Sequence, residues 1–153
     1  MKLAIFDLDG TVICSKHRQA TLPCGNLNLA HWVENNTPMK IMRDRLLPLI
    51  HTMRDIHSRG IPVVICTARV LGLADYKYFL NNNVPFDKIL SRPKGCTTPD
   101  AELKREQILA FLARMDYSPS DCEMWEDNES VMRMCAEIGI RYHDARTLNY
   151  HRE

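Results

Sequence analysis

The chain has 153 residues, of which 45% are hydrophobic, and a formal net charge of +1. This length fits one domain with a buried core, and the near-zero charge gives no electrostatic argument for binding a nucleic acid or a membrane surface. No apolar run approaches the roughly 20 residues of a membrane-spanning helix, and the amino terminus lacks a secretory pattern. The six cysteines are scattered without a Cys-x-x-Cys pair, which favours reduced thiols and a cytoplasmic location.

Predicted strands and helices alternate along the chain. We predict strands over residues 2–6, 61–66, 88–90, 122–126 and 138–142, and helices over 40–59, 71–83, 100–115 and 128–137. Pro48 either kinks the first helix or marks its true start, and Gly60 ends it. The segment 14–39 is polar and is predicted to be irregular. This alternation indicates an α/β fold with a parallel sheet of about five strands flanked by helices, in a single domain over 1–153.

Asp7 and Asp9 stand where the first strand must end, in the run Ile5-Phe6-Asp7-Leu8-Asp9-Gly10-Thr11-Val12. Ligands of open α/β sheets bind at such strand ends. Two carboxylates at this spacing suit phosphoryl transfer, because one can attack phosphorus while the other manages the proton and a divalent cation suppresses their repulsion. A plain Asp-Gly turn is the alternative explanation.

The second predicted strand of the core ends at Thr67-Ala68-Arg69. A threonine hydroxyl and nearby backbone amides can hold phosphate oxygens there. The guanidinium of Arg69 can add a bidentate contact to a phosphate or a carboxylate. An ordinary turn with a solvated arginine is the alternative.

Two further segments carry charged groups. Asp100 and Lys104 are four residues apart and share a helix face, a spacing that by itself indicates a surface ion pair. Glu126 and Asp127 follow an apolar strand and offer oxygen ligands for Mg²⁺, with a polar helix cap as the alternative.

Taken in order, these four segments resemble the motifs of the haloacid dehalogenase superfamily of phosphatases. The resemblance implies a Rossmann-like fold and hydrolysis of a phosphomonoester through an aspartyl-phosphate. It implies a catalytic set of Asp7, Asp9, Thr67 and Lys104, and an Mg²⁺ site built from Asp7, Asp9 and Asp127 with Glu126 in support. Which of Glu126 and Asp127 contacts the metal directly is left open.

A finer resemblance is to compact phage-type phosphatases related to the 3′-phosphatase domain of polynucleotide kinase-phosphatase. It implies substrate-binding roles for Thr11, Arg18, Ala68, Arg69 and Asp100. These 153 residues contain no Gly-x-x-x-x-Gly-Lys-Ser/Thr loop, so we expect no kinase half among them. The implied partner is a phosphorylated small molecule such as a nucleotide, or a nucleic-acid end such as a polynucleotide 3′-phosphate.

The cover over the site bears on this choice. The stretch between the first two motifs is too short for a large cap, and a small lid over 14–39 would offer His31 and Trp32 to stack on a base. A lidded site favours a free nucleotide, and an open site admits a polynucleotide.

Two other classes of protein compete with the phosphatase. A phosphorylated receiver domain also clusters aspartates with a threonine and a lysine, but its phosphoacceptor lies on a middle strand. A catalytically silent protein on the same scaffold would bind or sequester a nucleotide. The intact aspartates, Thr67 and Lys104 favour turnover.

Overall fold

The computed structural model describes residues 1–150, which form seven strands and seven helices. The strands are β1 (Leu3–Phe6), β2 (Ile13–Cys14), β3 (Arg45–Leu46), β4 (Val63–Cys66), β5 (Lys88–Leu90), β6 (Cys122–Glu126) and β7 (Arg141–Asp144). The helices are α1 (Leu29–Asn35), α2 (Pro38–Ile41), α3 (Leu49–Ser58), α4 (Leu73–Asn81), α5 (Asp100–Met115), α6 (Glu129–Ile138) and α7 (Ala145–Tyr150). Two short 3₁₀ turns cover Lys16–Arg18 and Pro119–Asp121.

Five of the strands form one parallel sheet in the order β5-β4-β1-β6-β7. Its central strand β1 alternates between two cores: Ala4 and Phe6 join the core that contains α3 and α4, and Leu3 and Ile5 join the core that contains α5 and α6. A strand buried on both faces is a continuous apolar run, as β1 is. The predicted α/β fold, a parallel sheet of about five strands flanked by helices, is confirmed.

The segment between β1 and β4 differs from the prediction. The helix predicted over 40–59 is wrong in its first half, because α2 ends at Ile41 and β3 pairs antiparallel with β2 before α3 begins. Pro48 precedes the first residue of α3, so it marks the start of that helix and not a kink. At the other end, Gly60 adopts φ +78° just after the helix, as predicted for a terminating glycine.

The segment predicted to be irregular, 14–39, contains a 3₁₀ turn and α1, and α2 begins within it. Asn28 caps α1 by accepting a hydrogen bond from the backbone N–H of His31 at 3.1 Å. The asparagines that suggested an irregular loop therefore include a helix cap.

The last strand of the sheet lies at Arg141–Asp144, two to three residues later than predicted. Gly139 ends α6 in the left-handed region at φ 89°, which delays the strand. Within residues 1–150, none of the helices has the length and apolar character needed to cross a bilayer.

Candidate active site

The predicted catalytic groups meet at one edge of the sheet. Asp7 directly follows β1, Thr67 follows β4, and Glu126 and Asp127 stand at the end of β6. Because these three neighbouring strands are parallel, their carboxyl ends lie side by side. Lys104, from the second turn of α5, reaches the same place.

Asp7 is held by two donors. The ammonium of Lys104 donates to one carboxylate oxygen at 2.8 Å, and the hydroxyl of Thr11 donates to the other at 3.1 Å. Both carboxylate and ammonium are buried. Burial opposes the charged form of Asp7, but the Lys104 charge and the hydrogen bonds to the carboxylate together outweigh it, so the pKa of Asp7 lies below its usual value. The carboxylate is therefore ionised, as a nucleophile must be.

Lys104 bridges two carboxylates. Its ammonium donates to Glu126 at 2.8 Å as well as to Asp7. Burial opposes its charge, but Asp7 and Glu126 raise the pKa of Lys104 well above its usual value. The side chain thus stays cationic in a buried position, where a positive charge acts strongly on neighbouring anions.

Glu126 has both oxygens engaged by protein donors. One accepts from Lys104, and the other accepts from the backbone N–H groups of Asp127 and Asn128 at 3.1 Å each. Burial and the neighbouring Asp7 raise the pKa of Glu126 to about 7. These contacts assign Glu126 to positioning Lys104 and the loop after β6.

Asp127 completes a cluster of three carboxylates. Oxygens of Asp7, Glu126 and Asp127 all lie within 4.8 Å of one another, close enough to share a metal ion. Burial and the charge of Asp7 raise the pKa of Asp127 to about 9. A buried carboxylate beside a second one loses this penalty when a cation lies between them, so the oxygen donor set fits a hard divalent ion.

Gly10 allows Asp127 to approach the first loop. Its φ is +78°, and a Cβ at this position would lie 2.2 Å from a carboxylate oxygen of Asp127. Any larger residue would force this oxygen of Asp127 to move. The glycine in the first motif is therefore explained by a close approach as well as by its backbone conformation.

Thr67 and Ala68 form the loop after β4. The Thr67 hydroxyl accepts a hydrogen bond from the backbone N–H of Arg69 at 3.1 Å, and the threonine is buried. Arg92 donates to the carbonyl of Ala68 and to the carboxylate of Asp100, both at 2.8 Å. Asp100 is thus linked to this loop through Arg92, with its side chain half exposed.

Arg69 faces carboxylates. Its guanidinium donates to Asp9, with an Nε–O distance of 3.1 Å and a second, shorter contact through Nη2. It also pairs with Asp75 at 2.6 Å and lies 3.5 Å from Asp44. The hydroxyl of Ser15 donates to Asp9 at 2.6 Å. The predicted contact of Arg69 with a carboxylate is therefore present.

Arg18 is fully buried and contacts Asp44. It makes two hydrogen bonds to Asp44 at 2.8 and 2.9 Å and one to Asn36 at 2.9 Å. The Trp32 ring lies 4.4 Å from its guanidinium carbon and 5.6 Å from that of Arg69. Arg18 therefore connects to Asp9 through Asp44 and Arg69.

Sequence reasoning missed several residues that support the site. Asp44 and Asp75 neutralise the buried arginines, and Ser15 holds Asp9. Asp75 also accepts a hydrogen bond from the backbone N–H of Gly72 at 2.9 Å. An acidic residue at the third position of a helix is a known capping signal, so the sequence could have indicated this contact. Asp44 and Ser15 carry no comparable local signal.

Asn149 of α7 supports the first loop from behind. It donates to the Thr11 carbonyl at 2.9 Å and accepts from the backbone N–H of Leu49 at 3.0 Å. From the sequence alone, the polar and basic tail 144–153 is either a loose end or a segment that closes over a partner. Its described part is a helix in contact with β6, β7 and α3, and residues 151–153 lie outside the described range.

Solved structures of low sequence identity share this fold. A haloacid dehalogenase-like hydrolase from Streptococcus pneumoniae matches 98% of this chain and 90% of its own, with 17% identity and a TM-score of 0.67. A haloacid dehalogenase-superfamily hydrolase from Geobacter sulfurreducens matches 97% of both chains, with 12% identity and a TM-score of 0.68. A chain in a Pnkp1/Rnl/Hen1 RNA repair complex matches 93% of this chain and 41% of its own, with 18% identity and a TM-score of 0.69.

Sequence comparison is more specific. The 5′-deoxynucleotidase of Escherichia phage T5 is 30% identical over an alignment of 173 residues, and this alignment covers 97% of this chain and 68% of that protein. The model of the bacteriophage T5 5′-deoxynucleotidase family matches residues 1–152. The chain thus belongs to the bacteriophage T5 5′-deoxynucleotidase family and is a phosphatase that shares its fold with haloacid dehalogenase-type hydrolases.

Proposed function

We propose that this phosphatase is an Mg²⁺-dependent hydrolase of deoxynucleoside 5′-monophosphates that works through an aspartyl-phosphate. The name of its phage T5 relative supports the substrate class. One observation supports the chemistry above others: the buried carboxylate of Asp7 is held by Lys104 and Thr11 and lies beside Glu126 and Asp127.

In the first step a carboxylate oxygen of Asp7 attacks phosphorus and the bond from phosphorus to the nucleoside oxygen breaks. Asp9 gives a proton to that leaving oxygen. In the second step Asp9 takes a proton from water, which attacks the phosphorus of the aspartyl-phosphate. Inorganic phosphate leaves and Asp7 is restored as a carboxylate.

Arg69 and Ser15 position Asp9 in this proposal. Both donate to its carboxylate, so they fix where the proton is delivered. Arg18 acts on Asp9 only indirectly. It binds Asp44, the carboxylate that lies between Arg18 and Arg69.

The Mg²⁺ ion would be held by the carboxylates of Asp7 and Asp127 and by the backbone carbonyl of Asp9. When bound, it neutralises the carboxylates and the phosphate and so allows two anions to approach. Lys104 and the Thr67 hydroxyl hold the oxygens of the transferring phosphoryl group, where charge is concentrated. Thr11 acts through its bond to Asp7, and Asp100 acts through Arg92 on the Ala68 carbonyl.

The segment 14–39 is proposed as a small lid over the site, within a single domain over 1–153. One face of Trp32 is already occupied by the arginines, so its contribution to base binding is limited to the remaining surface. His31 precedes it on α1. A lid of this size suits a free nucleotide.

The experiment is phosphate release from a panel of monoesters, with Mg²⁺ and with EDTA. We expect turnover of deoxynucleoside 5′-monophosphates to exceed that of a 3′-phosphorylated oligonucleotide and of a sugar phosphate, and to require Mg²⁺. Preference for the oligonucleotide would replace the nucleotide by a polynucleotide 3′-phosphate as substrate. Nucleotide binding without release would favour the silent scaffold protein.

The nucleophile is tested with Asp7→Asn, matched to Asp55→Asn on the exposed surface of α3. The first variant should lose turnover and incorporate no label from a ³²P-phosphomonoester after an acid quench, and the second should behave as the parent. Substantial activity in Asp7→Asn contradicts the covalent mechanism.

A further inference from the structure

A basic surface cavity lies beside the active site but is lined by different residues. Its volume is about 700 Å³. It lies between the antiparallel pair β2 and β3, the first 3₁₀ turn and α2. Its lining residues are Cys14, Lys16, His17, Lys40, Arg43 and Arg45. None of these residues is a carboxylate, and none was used in the mechanism.

Four permanent cations in one cavity are unusual for this chain, whose 20 basic and 19 acidic residues nearly cancel. The adjacent acid, Asp44, is buried and is bonded to Arg18 and to His17. Its charge is therefore committed to the interior.

The cations themselves are available. Lys16, Arg43 and Arg45 are exposed, and within residues 1–150 they form no ion pair with a carboxylate. Lys40 contacts the side-chain oxygen of Asn35, a neutral group. Like charges held together without a counter-charge repel one another, so an anion in the cavity would relieve the repulsion and gain charge-assisted hydrogen bonds.

We propose that this cavity binds a polyphosphate anion of the kind carried by a nucleoside triphosphate. The four cations match the charge of a triphosphate, and the volume lies in the range of sites for small ligands. The lining contains no Phe, Tyr or Trp, whereas proteins that bind single-stranded nucleic acid stack its bases on aromatic side chains. Recognition is therefore through the phosphate chain.

The cavity and the active site share one chain segment. Cys14 and Lys16 line the cavity, and Ser15 between them donates to Asp9. The two sites are nevertheless separate in composition, because the active site gathers carboxylates and the cavity gathers cations. The proposal therefore does not depend on which monoester the enzyme hydrolyses.

The test is calorimetric titration of the full chain with inorganic tripolyphosphate in EDTA, where the carboxylates of the active site repel an anion. The variant Arg43→Gln/Arg45→Gln is compared with Arg105→Gln/Arg133→Gln, which removes the same charge from the exposed faces of α5 and α6. We expect the first pair to weaken binding by about tenfold or more and the second by less than about twofold. Thermal melts confirm that both variants fold.

A localised measurement accompanies the titration. Tripolyphosphate should shift the His17 ring signals in the NMR spectrum of the parent protein and leave those of His143, on β7, in place. In parallel titrations, dATP should bind at least as tightly as tripolyphosphate, and tighter binding identifies the nucleotide as the preferred source of the phosphate chain. Equal losses in both variant pairs, an unshifted His17, or binding of a single-stranded oligonucleotide but not tripolyphosphate would overturn the proposal.

Discussion

Lys104 donates to Glu126 at 2.8 Å with the same ammonium that holds Asp7. The other oxygen of Glu126 accepts two backbone N–H groups of the following loop. Glu126 is thus occupied by protein donors, so we expect Asp127 to be the acid of this pair that contacts the metal directly. The two adjacent acids consequently have different expected roles.

Asp127→Asn and Glu126→Gln should separate these roles. We expect Asp127→Asn to raise the Mg²⁺ concentration for half-maximal activity by well over about tenfold, since it removes a ligand charge. Glu126→Gln should lower kcat and change the Mg²⁺ requirement much less, because it weakens the positioning of Lys104. Mg²⁺ titrations of phosphate release measure both, and the reverse pattern would exchange the assignments.

Stability without metal should fall as the pH rises. The pKa values of Glu126 and Asp127, about 7 and about 9, lie above their ordinary values of 4.5 and 3.8. The folded protein therefore binds more protons than the unfolded chain between about pH 4 and 9, and the free energy of unfolding decreases across that window. Each group contributes at most about 1.4 kcal/mol per pH unit. Asp7, with its lowered pKa, acts in the opposite sense below its ordinary value of 3.8.

Urea unfolding at pH 5, 7 and 8.5 in EDTA measures this slope. Saturating Mg²⁺ should flatten it, because the metal replaces the protons. In Asp127→Asn the decrease above pH 7 should disappear, while the Glu126 contribution below pH 7 remains. A slope that is unchanged in that variant would contradict the raised pKa of Asp127.

Gly10→Ala and Gly60→Ala form a matched pair. Both glycines have φ +78°, but a Cβ at Gly10 would collide with Asp127, and nothing lies within 4 Å of one at Gly60. Each substitution should cost about 1 kcal/mol of stability from the left-handed backbone. Gly10→Ala alone should raise the Mg²⁺ requirement. If both variants keep the parental requirement, the close approach of Gly10 and Asp127 has no bearing on metal binding.

Arg69→Gln should strongly destabilise the fold. The substitution leaves Asp9, Asp75 and Asp44 facing one another without their shared cation, and breaking a buried ion pair costs about 3–5 kcal/mol. Arg105→Gln, on the exposed face of α5, should cost little. In denaturant unfolding, Arg69→Gln/Asp75→Asn should lose less than the sum of its single variants, and strict additivity would indicate that the pair does not interact.

Asn149→Ala should destabilise the first loop. It removes the partners of the Thr11 carbonyl and the Leu49 N–H, both in the interior, at a cost of about 1–3 kcal/mol. Thr147→Ala, on the exposed side of the same helix, is the control. Thermal unfolding measures the loss of stability. Equal melting temperatures for the two variants would show that the hydrogen bonds of Asn149 do not stabilise the fold.

The sequence predicted the elements whose signals are local. The helix Asp100–Met115 and the strands Lys88–Leu90 and Cys122–Glu126 have their predicted bounds. Each is a continuous periodic or apolar run ended by turn residues. The elements between β1 and α3 are two to seven residues long and depend on distant contacts, such as the 2.8 Å hydrogen bond from the Tyr78 hydroxyl to the Asp44 carbonyl. Their own residues carry too little signal to specify them.

For the site, topology made the prediction possible. The proximity of Asp7 and Asp127 could be predicted from the sequence, because the carboxyl ends of parallel strands lie at one edge of the sheet. The carboxylate partners of Arg69 could not be predicted, because a guanidinium binds a carboxylate and a phosphate with the same geometry. Asp44 and Asp75 lie near Arg69 only in the folded chain.

The bond from Asn149 to Thr11 spans 138 residues. During translation, the loop that follows Asp7 therefore emerges from the ribosome long before the side chain that will hold it. Nascent chains that have exposed the first three motifs still lack this anchor, so we expect full phosphatase competence to arise only after α7 has been synthesised and has docked.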